Sequence, residues 1–169
     1  ALTPLARSFA PMDPLLLRGA TPLPSGCTAG LTGLSCTASG IYVLSMLAES
    51  NPENRWIYPF AAAMMLAFEA VEADLLARDE SGDDRPAALL TVSRSPKFFC
   101  NGIDPTGAYT KRCTGLPQVT SAVEKAERQS GLLDMTGFTR PLQLPIPTVC
   151  AVNGHAFGAG MMFALGHDY

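Results

Sequence analysis

Three short apolar runs without a formal charge, at residues 41–47, 87–92 and 148–152, set the terms for any fold this chain can adopt. Each has the length of a buried strand, and turn-forming residues bound each of them. Between the first two lies a segment with helical period. Phe60, Met64, Phe68, Val71 and Leu75 recur at spacings of three and four, one apolar face of a 3.6-residue repeat. A helix is therefore expected over residues 60–78, opened by Pro59, where the missing N–H costs nothing. Glu69, Glu72 and Asp74 fall off the main stripe, and residues 79–84 form an acidic stretch expected to be solvated. A second helix is expected from Ser121, whose spacing to Glu124 fits a capping box. A third begins near Met161. Strand and helix in alternation give an α/β fold with a sheet that is at least partly parallel.

Residues 1–40 read differently. They hold Pro4, Pro11, Pro14, Pro22 and Pro24 with Gly26, Gly30, Gly33 and Gly40, and show neither period. They are expected to be a poorly ordered Pro/Gly-rich extension, with the domain proper at residues 41–169.

Composition removes several function classes. With 12 Lys and Arg against 15 Asp and Glu, the net charge is −3, and no basic cluster exists to hold nucleic-acid phosphates. Cys27, Cys36, Cys100, Cys113 and Cys150 are odd in number and contain no CxxC pair, so neither a zinc ribbon nor a disulfide framework is indicated. His155 and His167 stand too far apart to share a helix face as metal ligands, and both are expected to be structural. Uncharged stretches are broken by Gly and Pro too often to span a membrane. Residues 154–160 read G-x-x-x-G-x-G, which is neither a dinucleotide fingerprint nor a P-loop, and no G-x-S-x-G elbow is present.

What remains is a pair of loops that leave buried strands and carry small residues. One is Cys100-Asn101-Gly102-Ile103-Asp104; the other is Asn153-Gly154-His155-Ala156-Phe157-Gly158-Ala159-Gly160. In parallel α/β folds, sites gather at the carboxyl ends of strands. Two backbone N–H groups, one per loop, could meet on one oxygen as an oxyanion hole. Two tight structural turns are the alternative that spacing alone favours. Cys100 has no basic neighbour in sequence to activate it, and reads as a small buried residue.

The stretches "ALLTVSRSPKFFCNGIDP" and "PIPTVCAVNGHAFGAGMMFALGHDY" together resemble the enoyl-CoA hydratase/isomerase (crotonase) family, over about residues 41–169. Within it they look most like the Δ3,Δ2-enoyl-CoA isomerases of plant peroxisomal type. The resemblance implies the N-terminal portion of a ClpP-like spiral of ββα units, apparently truncated at its C-terminus. It implies an acyl-CoA thioester as substrate, no cofactor beyond that coenzyme A, and activity in fatty-acid β-oxidation in a peroxisome or mitochondrion. It also implies a homo-oligomer, trimer or hexamer, for the full-length protein. Matched by position, the oxyanion donors are the backbone N–H groups of Ile103 and Ala159. Cys100, Asn101, Gly102, Asp104, Gly158, Gly160 and Met162 line the substrate, with Asp104 fixing its own loop. Met162 stands where hydratases of the family carry a glutamate, so isomerisation through a dienolate is expected over hydration. The family's isomerase base is a glutamate that falls beyond Tyr169, and Glu124, Glu127 and Asp134 do not match it. A non-catalytic acyl-CoA-binding protein and another CoA-thioester enzyme of the same fold are the alternatives.

Overall fold

The computed structural model describes residues 19–104 and 136–169. Its largest sheet has five strands: β1 (Thr21–Pro22), β2 (Thr32–Cys36), β3 (Ile41–Met46), β4 (Ala88–Ser93) and, after the short strand β5 (Phe98–Cys100), β6 (Thr148–Ala151). Their order is β1-β2-β3-β4-β6. The first three pair antiparallel, while β3, β4 and β6 run parallel, with Ile41 opposite Ala88 and Leu89 opposite Thr148. The three parallel strands are the apolar runs of the sequence, within one or two residues at each end.

Residues 21–36 are not a disordered extension: the sheet starts there, some 20 residues before the expected boundary. β2 reads TGLSC, so its strand signal rests on few large residues. Thr32 and Leu34 still alternate inward, as a half-buried strand requires. Residues 1–18 and the helix expected from Ser121 lie outside the described residues.

Helix α1 (Tyr58–Ser81) joins β3 to β4, the helical crossover that a parallel pair needs. It is longer than the periodic stripe. Pro59 opens it, and Gly82 closes it by donating its N–H to the carbonyls of Arg78 and Asp79. Phe60, Ala63, Met64, Ala67, Phe68, Ala70 and Val71 face the core. Two of the acids off that stripe are engaged rather than merely solvated. Asp74 accepts from the buried Tyr42 hydroxyl at 2.6 Å, and Glu72 pairs with Arg140. Desolvation, followed by the bond to Asp74, pushes Tyr42 up to about 12. The acidic stretch is likewise partly paired, Asp83 bridging Arg78 and Arg85.

A second, two-stranded sheet pairs β5 with β7 (His155–Ala156) in parallel. β4 thus leads into β5, and β6 into β7, which is followed by helix α3 (Ala159–Leu165). The ββα recurrence implied by the family resemblance is therefore visible. Helix α2 (Thr136–Thr139) and a 3-10 turn (Arg140–Gln143) precede β6. Trp56 centres the core below the small sheet, with ring centroids 5.5 Å from Phe60, 4.8 Å from Phe138 and 5.2 Å from Phe163. Aromatic burial on this scale is worth about 3–5 kcal/mol per ring on truncation to alanine.

The C-terminal end of α3 is pinned to β4 by His167. Its Nδ1–H donates to the Phe163 carbonyl at 3.0 Å, and its Nε2 accepts from Thr91 Oγ1 at 2.9 Å. Burial lowers its pKa below the ordinary 6.5, so the folded state holds a neutral ring. The unfolded chain takes up the proton as pH falls through 6.5, so this stabilisation is present above that pH and lost below it. The unfolding midpoint should fall on acidification from pH 7.5 to 5, and His167→Asn should flatten the fall. An identical slope in the variant would contradict the assignment.

Candidate functional site

Because β5 and β7 run parallel, with Phe98 opposite His155, the two glycine-bearing loops leave the small sheet side by side. The Phe157 N–H donates to the Cys100 carbonyl at 3.0 Å, which carries the pairing past the strand ends. On its other side the first loop is tied to the segment after β3. Asn101 N–H donates to the Glu53 carbonyl at 2.9 Å, and Trp56 N–H donates to the Gly102 carbonyl at 2.7 Å.

Two glycines set how near the loops come. A Cβ on Gly160 would lie 2.3 Å from the Cys100 carbonyl oxygen, so any side chain there would force the loops apart. Gly102 has φ +77°, a conformation other residues rarely adopt, and a Cβ on it would lie 2.9 Å from the Phe157 carbonyl oxygen and 3.9 Å from the Ala159 nitrogen. Gly102 therefore lies close to the turn that leads into α3. Ala159 is the first residue of that helix, where N–H groups lack intrahelical acceptors. Gly160 N–H turns back to the Phe157 carbonyl at 2.8 Å, and Met162 N–H to that of Gly158 at 3.0 Å. Among the described residues neither the Ile103 N–H nor the Ala159 N–H has an acceptor.

A polar cluster that the sequence did not reveal holds these loops from beneath. Ser93, at the end of β4, accepts on Oγ from Asn54 Nδ2 at 2.8 Å and from Ser95 N–H at 3.0 Å, and donates to the Phe98 carbonyl at 2.8 Å. Its backbone carbonyl accepts from Asn153 Nδ2 at 2.9 Å. Asn54 Nδ2 also reaches the Phe99 carbonyl at 3.1 Å. One serine thus links the loops after β3, β4 and β6. The side-chain oxygens of Asn54 and Asn153 are buried without a hydrogen-bond partner among the described residues. Glu53 and Asn54 read in sequence only as part of a polar turn, because their partners lie about 40 to 50 residues away.

The other residues named from sequence divide clearly. Cys100 is buried, and desolvation pushes its thiol up to about 11; Cys150 is pushed up to about 12 by the same cause. Neither is a nucleophile at neutral pH. Asp104 is buried. His155 is exposed, its ring 5.8 Å from that of Phe98 and 5.7 Å from that of Phe157. Ile103, Phe157, Met161, Met162 and Leu165 are exposed, an apolar surface beside the two donors. Among the described residues no three His, Cys, Asp or Glu side chains gather as metal ligands, and no helix is long and apolar enough to cross a membrane. Alkylation of the native protein at pH 8 should modify exposed Cys27 well before Cys100 and Cys150, read by peptide mass. Equal rates at the three would contradict the burial described.

No family model matches the sequence. Enoyl-CoA delta isomerase 3 of Arabidopsis thaliana is 29% identical over 134 residues, 79% of this chain and 50% of that protein. Enoyl-CoA delta isomerase 2, peroxisomal, of the same plant is 36% identical over 100 residues, 56% of this chain and 37% of that protein. The chain thus spans half or less of the curated relatives it matches. Among solved structures, an enoyl-CoA hydratase from Bacillus anthracis superposes with a TM-score of 0.55 at 17% identity, over 82% of this chain and 45% of that one. That likeness shows the fold, and the sequence matches bring in the plant proteins. With strand order, paired loops and relatives in agreement, the chain carries part of the crotonase fold and is similar in sequence to plant enoyl-CoA delta isomerases.

Proposed function

We propose that this chain supplies the carbonyl-binding part of an enoyl-CoA isomerase, which moves the double bond of a 3-enoyl-CoA to the 2-position. The observation that carries the reading is the approach of Gly102, the residue before Ile103, to the start of α3 at Ala159. The thioester carbonyl oxygen accepts from both. A carboxylate outside the described residues removes a proton from C2, and negative charge moves onto that oxygen as a dienolate forms. The same proton returns at C4, which leaves the double bond conjugated with the thioester. Donors fixed in advance stabilise the dienolate more than the neutral ground state, and removing one typically costs about 100- to 1,000-fold in rate.

Three further points support isomerisation. The curated relatives are named as delta isomerases. Met162, on the first turn of α3, has a thioether that cannot activate water, so the hydratase reaction lacks a residue there. The exposed apolar side chains of Phe157, Met161 and Met162 suit an acyl chain. Cys100, Asn101, Asp104 and Gly158 shape the loops around the thioester. No cofactor enters the reaction. Two relatives are named as peroxisomal, which supports a place in peroxisomal fatty-acid β-oxidation.

The intact protein should convert a 3-enoyl-CoA to the conjugated 2-enoyl-CoA, followed by absorbance of the conjugated thioester, and should not hydrate the product. Gly102→Ala, which requires an unfavourable φ and meets the Phe157 carbonyl, should lower kcat about 100-fold. Full activity in that variant would refute the oxyanion reading. Acyl-CoA binding without isomerisation by the unaltered protein would support a non-catalytic acyl-CoA-binding role instead.

A further inference from the structure

One carboxylate outside the glycine-bearing loops is bonded directly to them. Glu53, in the turn between β3 and α1, accepts on Oε2 from Asn101 Nδ2 at 2.7 Å. The same oxygen accepts from Arg55 Nε at 2.7 Å. A carboxylate has acceptor capacity for both, and charge makes each bond stronger than a neutral one. The backbones of these segments also meet, through Asn101 N–H on the Glu53 carbonyl and Trp56 N–H on the Gly102 carbonyl. Trp56 and Ile103 form an isolated parallel bridge.

These tethers bracket the peptide whose orientation matters. The Ile103 N–H belongs to the peptide that follows Gly102, and glycine leaves that peptide free to rotate unless its neighbours are held. Its downstream side is held by the bridge to Trp56. Its upstream side is held by Asn101, through one backbone bond and one side-chain bond to the same residue, Glu53.

We infer that Glu53 is a positioning residue: its carboxylate, oriented by Arg55, anchors the Asn101 side chain and so fixes the direction of the Ile103 N–H. The inference rests on the proposed reading of that N–H as a donor to the thioester oxygen. Glu53 and Arg55 are each about a quarter exposed, with side-chain values of 25% and 24%, and an ion pair of that kind adds little to global stability. Its effect therefore falls on geometry. Displacement of a catalytic group by about 1 Å costs up to about 100-fold in rate.

The test compares Glu53→Ala, Glu53→Gln, Asn101→Ala and the Glu53→Ala/Asn101→Ala double variant in the intact protein. Glu53→Ala should lower kcat on a 3-enoyl-CoA about 10- to 100-fold, with KM within about twofold and the unfolding midpoint nearly unchanged. Glu53→Gln, which keeps an acceptor for Asn101 Nδ2, should recover most of that loss. Asn101→Ala should match Glu53→Ala, and the double variant should be no worse than either, the signature of two residues acting as one unit. Wild-type kcat in Glu53→Ala, additive losses in the double variant, or a loss that follows the unfolding midpoint would each overturn the inference. Amide hydrogen exchange keeps the two proposals apart. Exchange at residues 101–104 should quicken about tenfold or more in Glu53→Ala, whether or not the wild-type protein isomerises. An inactive wild type with quickened exchange would sink the isomerase reading and leave the anchor standing. Unchanged exchange would sink the anchor itself.

Discussion

The contact of two backbones, with no side chain between them, is the constraint on which the candidate site depends. Gly160 packs on the Cys100 carbonyl so closely that a methyl group would sit at 2.3 Å, and Gly102 approaches the turn into α3 at the Phe157 carbonyl. Hydrogen-bond donors on separate loops can serve one oxygen only if the loops touch. Here the required closeness is set by what is missing at two positions. Interiors pack too tightly to absorb an extra methyl group without a shift, so these glycines fix the loop separation as firmly as a bond would.

The rest of the fold brings those glycines together. Parallel pairing of β3, β4 and β6 places their carboxyl ends along one rim, and the small sheet of β5 and β7 sets the two loops in adjacent register. Ser93 ties the three rim loops through Asn54, Asn153 and the Phe98 carbonyl. Below them, the rings of Trp56, Phe60, Phe138 and Phe163 form a stiff floor, and His167 holds the far end of α3 to β4. A donor at the start of a short helix keeps its direction only if that helix cannot tilt. The apolar floor and the His167 bonds act against such tilting.

Much of this was legible in the sequence. β3, β4 and β6 are short uncharged apolar runs between turn residues, and α1 shows its buried face at 3.6-residue spacing. The two loops stood out because small residues follow strands. β2 leaves little trace in the sequence because Thr32-Gly33-Leu34-Ser35-Cys36 carries one large apolar side chain, and its pairing with β3 exists only in three dimensions. α1 extends past its stripe because Pro59 in its first turn and the Gly82 cap, rather than periodicity, set its ends. The supports of the site were the least legible. Glu53, Asn54 and Ser93 are ordinary turn and strand-end residues by composition, and act only through partners brought near by the crossover.

The proposed function requires one oxygen to be shared by the Ile103 and Ala159 N–H groups. It is tested most directly by a crystal structure of the intact protein with an acyl-CoA bound. The account predicts the thioester carbonyl oxygen at roughly 2.7–3.1 Å from both nitrogens. A thioester oxygen bound elsewhere, or reached by only one of the two, would contradict it.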